Sequence, residues 1–389
     1  MDKECDVLVV GAGPAGSGAA MAAAKHGLKT IFIEEDPVVG QPVQCAEGIG
    51  ASLLPLLPFS VPKDMLRWSI AGMYFLTQNI AMICDNDDYF AGYTVDRSKW
   101  DPWLASLAVE KGASLWVNTK LVKLEFDGDT AVKAIVEQNG NTIEIHPKYI
   151  VGADGSHSTV IANLDVPKHE SLGYVKSYEM TDLELKYPHH DQMFFGDFAP
   201  RAYAYIFPFS NTGANIGIGS IYKDKNLDDL FDRFTALPHV HKQLKNGKTG
   251  TEKTGEVPIR DICDTPVYGN VFLVGDAANH NIKPFIEGNI PGILCGNILG
   301  DFLFEVSKGN ESPENYPTIL YEHFSDIKDS EPITDIVYGD HEVEDTLFYL
   351  LILGIMSEII PLEKIETFIA MDYDQVRTYL LQHGGFLEE

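Results

Sequence analysis

The sequence predicts an α/β fold in which a Rossmann-like dinucleotide-binding domain is interleaved with an antiparallel-sheet domain and followed by a helical C-terminal region. Three observations predict it. A glycine fingerprint follows the first apolar run, Asp6–Val10; two later apolar runs each end beside an Asp–Gly or Gly–Asp pair; and Ala202–Phe209 alternates with the two-residue period of a strand.

Asp6–Val10 reads as a short buried strand, and Gly11, Ala12, Gly13, Pro14, Ala15 and Gly16 follow it. Ser17–His26 reads as an Ala-rich helix stopped by Gly27, with Thr30–Ile33 as a second strand ending at Glu34. In this arrangement Gly11 permits the tight turn, Gly13 lets backbone approach a pyrophosphate, and Gly16 lets helix and strand pack closely. The helix N-terminus offers free N–H groups to phosphates. Glu34, 23 residues after Gly11, stands where a carboxylate accepts hydrogen bonds from ribose hydroxyls. Strand, glycines, helix, strand and acid in register outweigh a purely steric glycine turn, yet they do not choose between NAD and FAD.

Two later segments make that choice. Asn270–Val274 reads as a strand running into Gly275 and Asp276, and a carboxylate there suits a polyol such as the ribityl chain of a flavin. The alternative is an Asp that caps the next helix. Ile150–Gly155 repeats the pattern with Asp154 and Gly155. Together with the N-terminal fingerprint, these segments resemble the FAD-dependent reductase and hydroxylase superfamily, whose fold is similar to that of p-hydroxybenzoate hydroxylase. The resemblance implies a cofactor site of Gly11, Gly13, Ala15, Gly16, Glu34, Cys45, Arg97, Asp154, Gly275, Asp276, Gly288, Asn289 and Ile290. Read without it, Arg97 is an ordinary surface charge.

Within that superfamily, Gly40–Ile49 and Pro200–Pro208 resemble the geranylgeranyl reductase family, as a divergent, archaeal-type member. That family saturates double bonds of polyprenyl chains. The first segment implies a flavin-side role for Cys45. The second is similar to the lipid-site signature P-x-x-Y-x-W-x-F-P, with Tyr205 in place of Trp. As an extended strand it puts Tyr203, Tyr205, Phe207 and Phe209 on one face, a wall for a long hydrocarbon; from the pattern alone the same row reads as sheet core. The sequence departs from the family after Asp276, where Glu287 interrupts the usual glycine-rich run into a helix. A helix N-terminus stabilises negative charge by about 0.3–2 kcal/mol. A carboxylate aimed there opposes it, so Glu287 either turns outward as a cap or serves as a catalytic acid.

The expected domains are 1–60, 92–160 and 262–310 for FAD, 61–91 and 161–261 for the substrate sheet, and 311–389 for a helical tail. Within the tail, helices are expected at Tyr316–Asp329, Asp345–Ile360, Leu362–Ala370 and Asp374–His383. The longest uninterrupted apolar run, Leu347–Met356, falls short of the ~20 residues that span a bilayer. The start of the chain lacks an apolar signal-type stretch, and five dispersed cysteines without a C-x-x-C pair read as reduced thiols, which together point to the cytoplasm. A formal net charge of −28 argues against a nucleic-acid partner. His189–His190 and His239-x-His241 lack the partners of a metal site, and none is expected.

The expected activity is FAD-dependent reduction of C=C bonds in a geranylgeranyl lipid, by hydride transfer from reduced flavin with an acid protonating the second carbon. Cys45, Tyr203, Tyr205 and Glu287 are the candidate catalytic groups; Tyr203, Tyr205 and Phe207 are the candidate substrate wall. The alternatives are a flavin monooxygenase or halogenase, and a flavin-bearing binding or electron-transfer protein. An external electron donor, NAD(P)H or ferredoxin, is required, and a lipid substrate implies peripheral membrane contact.

Overall fold

The computed structural model describes residues 2–77, 80–85, 90–164, 166, 171–338, 345–384 and 387–388. Its first sheet is built on the parallel strands Asp2–Val10, Thr30–Ile33, Ser114–Trp116 and Asn141–Gly152, ordered Val271–Leu273, Asn141–Gly152, Asp2–Val10, Thr30–Ile33, Ser114–Trp116. Val7, Leu8 and Val9 are wholly buried, because helices or a hairpin cover both faces of the sheet. Pro14–Lys25 is the crossover helix. It begins earlier than expected because proline is tolerated in a first helical turn.

This helix lies against Asn289–Lys308 at very short range. A Cβ on Gly296 would fall 2.1 Å from the Ala15 carbonyl oxygen, and one on Gly300 2.6 Å from that of Ala19. The glycines and the Ala-rich helix are therefore one device that brings both helix N-termini to the same cleft. Asn289–Lys308 is long and apolar enough to cross a membrane, but most of it is buried inside the fold.

The second sheet runs Lys248–Pro258, Leu172–Thr181, Gly213–Ser220, Ala204–Ser210, His190–Phe195, Gly72–Thr77, Ile80–Cys84. It is antiparallel apart from the parallel pair His190–Phe195 and Gly72–Thr77. Leu227–Thr235 and Pro238–Leu244 pack on one face. The C-terminal helices cover part of the other, with Leu347–Met356 buried against Phe75 and Met193. A small third sheet joins Gly48–Gly50, Gly92–Val95 and Leu66–Ile70 between the two large ones, so the Leu66–Ile70 strand pairs with a strand that the sequence assigned to the other domain.

In the tail, the helix expected over Tyr316–Asp329 is two, Tyr316–His323 and Asp326–Asp329, because Phe324 turns extended and buries its ring. Pro332–Tyr338 is a further helix, and Asp345–Met356 stops short of Ile360, where Glu358 takes a left-handed backbone.

Candidate active site between the glycine turn and the aromatic sheet

A cavity of about 1120 Å3 runs from the glycine turn, past Arg97 and Asp276, to the inner face of the second sheet. At its first end the Gly11 N–H donates to the Ile33 carbonyl (2.9 Å), and Gly11 is left-handed at φ 94°. A Cβ there would stand 2.4 Å from the Ala153 oxygen, while nothing lies within 4 Å of the corresponding position on Gly13. The turn is thus closed on its protein side and open on its cavity side. Glu34 accepts hydrogen bonds from the N–H groups of Ala12 (3.1 Å) and Asp36 (3.2 Å), and burial raises its pKa against those bonds. Asp154 accepts from Ser158 Oγ (2.6 Å) and the Val160 N–H (3.0 Å), so it caps the turn after its strand while lining the cavity.

Arg97 is no surface charge. Its guanidinium forks onto Asp101, Nε to Oδ1 and Nη2 to Oδ2, both at 2.6 Å. Burial works against its charge, but Asp101 and Cys45 beside it hold its pKa above the ordinary value. Asp276 lies at the turn after Val271–Leu273; burial raises its pKa, with Arg97 and Lys283 opposing. Burial likewise draws Lys283 down to about 8. A Cβ on Gly288 would sit 3.2 Å from Asp276 Oδ1, which puts the N-terminus of Asn289–Lys308 against that carboxyl. Asn289 accepts from Trp100 Nε1 (3.0 Å). Ala15 and Gly275 line the cavity, whereas the Ile290 side chain is turned wholly into the core, so only its backbone can face a cofactor.

Glu287 does not turn outward as a cap. Its carboxylate lines the cavity, accepts from the Gly50 N–H (3.1 Å), and burial pushes its pKa up to about 7. The aromatic row is present: Tyr203 and Tyr205 ring centroids are 6.3 Å apart, Tyr205 and Phe207 4.7 Å, and all three line the cavity. Ala204 and Ile206 face the other side, among the buried residues beneath the helices. Phe209 ends its membership of the wall, with the Arg67 guanidinium over its ring at 3.8 Å. Tyr203 donates to the Phe285 carbonyl (3.0 Å), and the Tyr205 ring lies where a Cβ on Gly217 would come within 2.1 Å of it. Burial raises both phenols well above their usual range.

Two groups escaped the sequence reading. Glu47, left-handed at φ 72°, is buried and accepts from the Arg97 N–H (2.9 Å), Asn215 Nδ2 (3.0 Å) and Lys253 Nζ (2.8 Å), while its own N–H donates to Cys45 Sγ (3.2 Å). Its proximity to Cys45 was legible; its partners, 50 to 206 residues away in the chain, were not. Asp191, on the His190–Phe195 strand, also lines the cavity, and burial pushes its pKa to about 8. No motif marks it.

Two FAD binding domain family models match the chain, over residues 6–69 and 85–286. The digeranylgeranylglycerophospholipid reductase of Picrophilus torridus is 33% identical over 326 residues, covering 81% of each chain. The chain belongs to the digeranylgeranylglycerophospholipid reductase family. Among solved structures, a geranylgeranyl bacteriochlorophyll reductase-like protein from Thermoplasma acidophilum superposes with a TM-score of 0.81 and 25% identity, covering 98% of this chain and all of that one. A flavin-dependent brominase follows at 0.70 and 17% identity over 97% of this chain and 98% of that one, a likeness of fold alone.

The chain is therefore an FAD-dependent oxidoreductase, and the site fits the cofactor. The open space over Gly13 at a helix N-terminus takes a pyrophosphate, and Asp276, with Arg97 close by, lies further along the same cavity. Among the described residues no cluster of His, Cys, Asp or Glu could hold a metal ion.

Proposed function

We propose that this protein reduces C=C bonds of a geranylgeranyl-bearing glycerophospholipid. The observation that carries the reading is continuity: one cavity joins the dinucleotide turn to the wall of Tyr203, Tyr205 and Phe207, so a long apolar chain and the cofactor share one space. When bound and reduced, FAD supplies a hydride. The protein does the rest. The glycine turn and Glu34 anchor the nucleotide end, and Arg97, clamped by Asp101, holds a fixed positive charge in the cavity lining. The aromatic wall aligns an alkene that has no polar handle, so orientation is the protein's main contribution.

In this reading the protein works in the cytoplasm in peripheral contact with the membrane that holds its substrate, and NAD(P)H or ferredoxin brings the electrons. The test is anaerobic. FAD-loaded protein bleached with dithionite is mixed with digeranylgeranylglycerophospholipid, and flavin reoxidation is followed alongside the lipid mass. Reoxidation with a two-dalton gain per bond supports the reading. A flavin that stays reduced with every lipid refutes it and favours a binding or electron-carrying role; in a separate aerobic assay, NADPH-driven oxygen consumption stimulated by an aromatic substrate would favour a monooxygenase.

A further inference from the structure

We propose that Asp191 is the acid that protonates the alkene; this rests on the lipid-reduction reading. Its strand neighbour pairings, Gln192 with Ile206 and Met193 with Tyr205, put Asp191 across from Phe207, on the sheet face that carries the substrate wall. A Cβ on Gly48 would lie 3.6 Å from the Phe207 ring and 3.7 Å from Asp191 Oδ2. A Cβ on Gly50 would lie 3.2 Å from Glu287 Oε2. The two glycines of the strand Gly48–Gly50, about 6.6 Å apart, therefore leave a slot bordered by two carboxyls, while Ile49 between them is buried in the core.

The two carboxyls differ in what else they do. Glu287 is held by the Gly50 N–H and adjoins Gly288 and Asp276, on the cofactor side. Asp191 Oδ1 is buried with no hydrogen-bond partner among the described residues. Burial alone keeps the group protonated at neutral pH, with Tyr203 the titratable neighbour that feels its charge. Of the other donors, the Tyr203 hydroxyl is committed to the Phe285 carbonyl, while the Cys45 sulfur accepts from the Glu47 N–H beside Arg97. Tyr205 is much the weaker acid. A buried acid with an uncommitted proton, facing an apolar slot, is costly as a structural element and suited to general acid catalysis, where a pKa near the working pH serves best.

In the step, the Asp191 O–H bond breaks and its proton goes to the CH carbon of a prenyl C=C, the π electrons forming the new C–H bond. The methyl-bearing carbon, left electron-poor, takes the hydride of the reduced cofactor. Asp191 is left as carboxylate and regains a proton from water; the oxidised cofactor is re-reduced by the external donor, dithionite in the assay.

The experiment compares wild type, Asp191→Asn, Asp191→Glu and Glu287→Gln, each FAD-loaded and reduced with dithionite, against digeranylgeranylglycerophospholipid in detergent micelles. Asp191→Asn is expected to slow lipid-driven reoxidation by roughly 10²–10⁴-fold with flavin content and reduction unchanged, and Asp191→Glu to restore part of the rate. Difference infrared spectra at pH 6.5 are expected to show a protonated carboxyl band that Asp191→Asn lacks. Reoxidation of Asp191→Asn within threefold of wild type, a slow step confined to Glu287→Gln, or an ionised Asp191 at pH 6.5 overturns the assignment. Wild-type protein that lipid never reoxidises sinks the lipid reading and the assignment together, whereas wild-type reoxidation matched by Asp191→Asn sinks the assignment alone.

Discussion

Glu287→Gln removes a proton that the folded protein holds more tightly than the unfolded chain does, and the effect has a calculable size. Burial lifts this carboxyl from its ordinary 4.5 to about 7, against one hydrogen bond from Gly50. Such a difference corresponds to about 3 kcal/mol between the protonated and ionised forms. The folded-state value lies above the unfolded one, so the native state is favoured below about 4.5, and that advantage is lost as pH rises through about 7. Of the total, about 2 kcal/mol falls between pH 5.5 and pH 8. Glutamine keeps the shape and a hydrogen-bonding carbonyl for Gly50 but carries no titrating proton. Asp191, raised to about 8, adds a loss of the same sign in both proteins and cancels from the comparison. Urea unfolding of the two proteins at pH 5.5 and pH 8 measures the effect. Wild type is expected to lose about 2 kcal/mol more than the variant over this interval. Equal losses would mean that Glu287 titrates normally, in contact with water, and would refute the buried geometry.

Lys253→Met leaves Glu47 buried without its cation and is expected to destabilise the protein by about 3–5 kcal/mol, read by denaturant midpoint at pH 7. Gly11→Ala puts a methyl group 2.4 Å from the Ala153 oxygen at a left-handed position, so the purified protein should be colourless or take up FAD poorly, as absorbance shows directly. Tyr205→Ala empties the centre of the aromatic wall: lipid turnover should fall while bound FAD, scored by its visible spectrum, persists. Loss of FAD and fold together would make that tyrosine structural.

The dinucleotide end was legible because its requirements are local. A left-handed Gly11, an open Gly13, a helix starting at Pro14 and a carboxylate closing Thr30–Ile33 all lie within one stretch of chain, and each residue type answers a steric or electrostatic need of its immediate neighbours. The aromatic row was legible for the same reason, since alternation along Ala204–Ser210 decides which side chains share a face. Its reading as a substrate wall, however, needed the family resemblance, because a buried sheet core has the same pattern.

Composition and spacing by themselves determined a dinucleotide-binding α/β frame and an aromatic sheet face, and the family resemblance added that Glu287 stands where a glycine-rich run is usual. Tertiary structure alone decided which way that acid points, that Arg97 is clamped by Asp101 beside Cys45, that Lys253 neutralises Glu47, and that Asp191 opens onto the slot beside Gly48. The physical reason is that charge and protonation depend on burial and on partners: Asp101 is one helical turn from Arg97, but Lys253 reaches Glu47 from 206 residues away and Gly50 reaches Glu287 from 237. A sequence records which groups can ionise; only the packed fold sets the dielectric and the neighbours that determine whether they do.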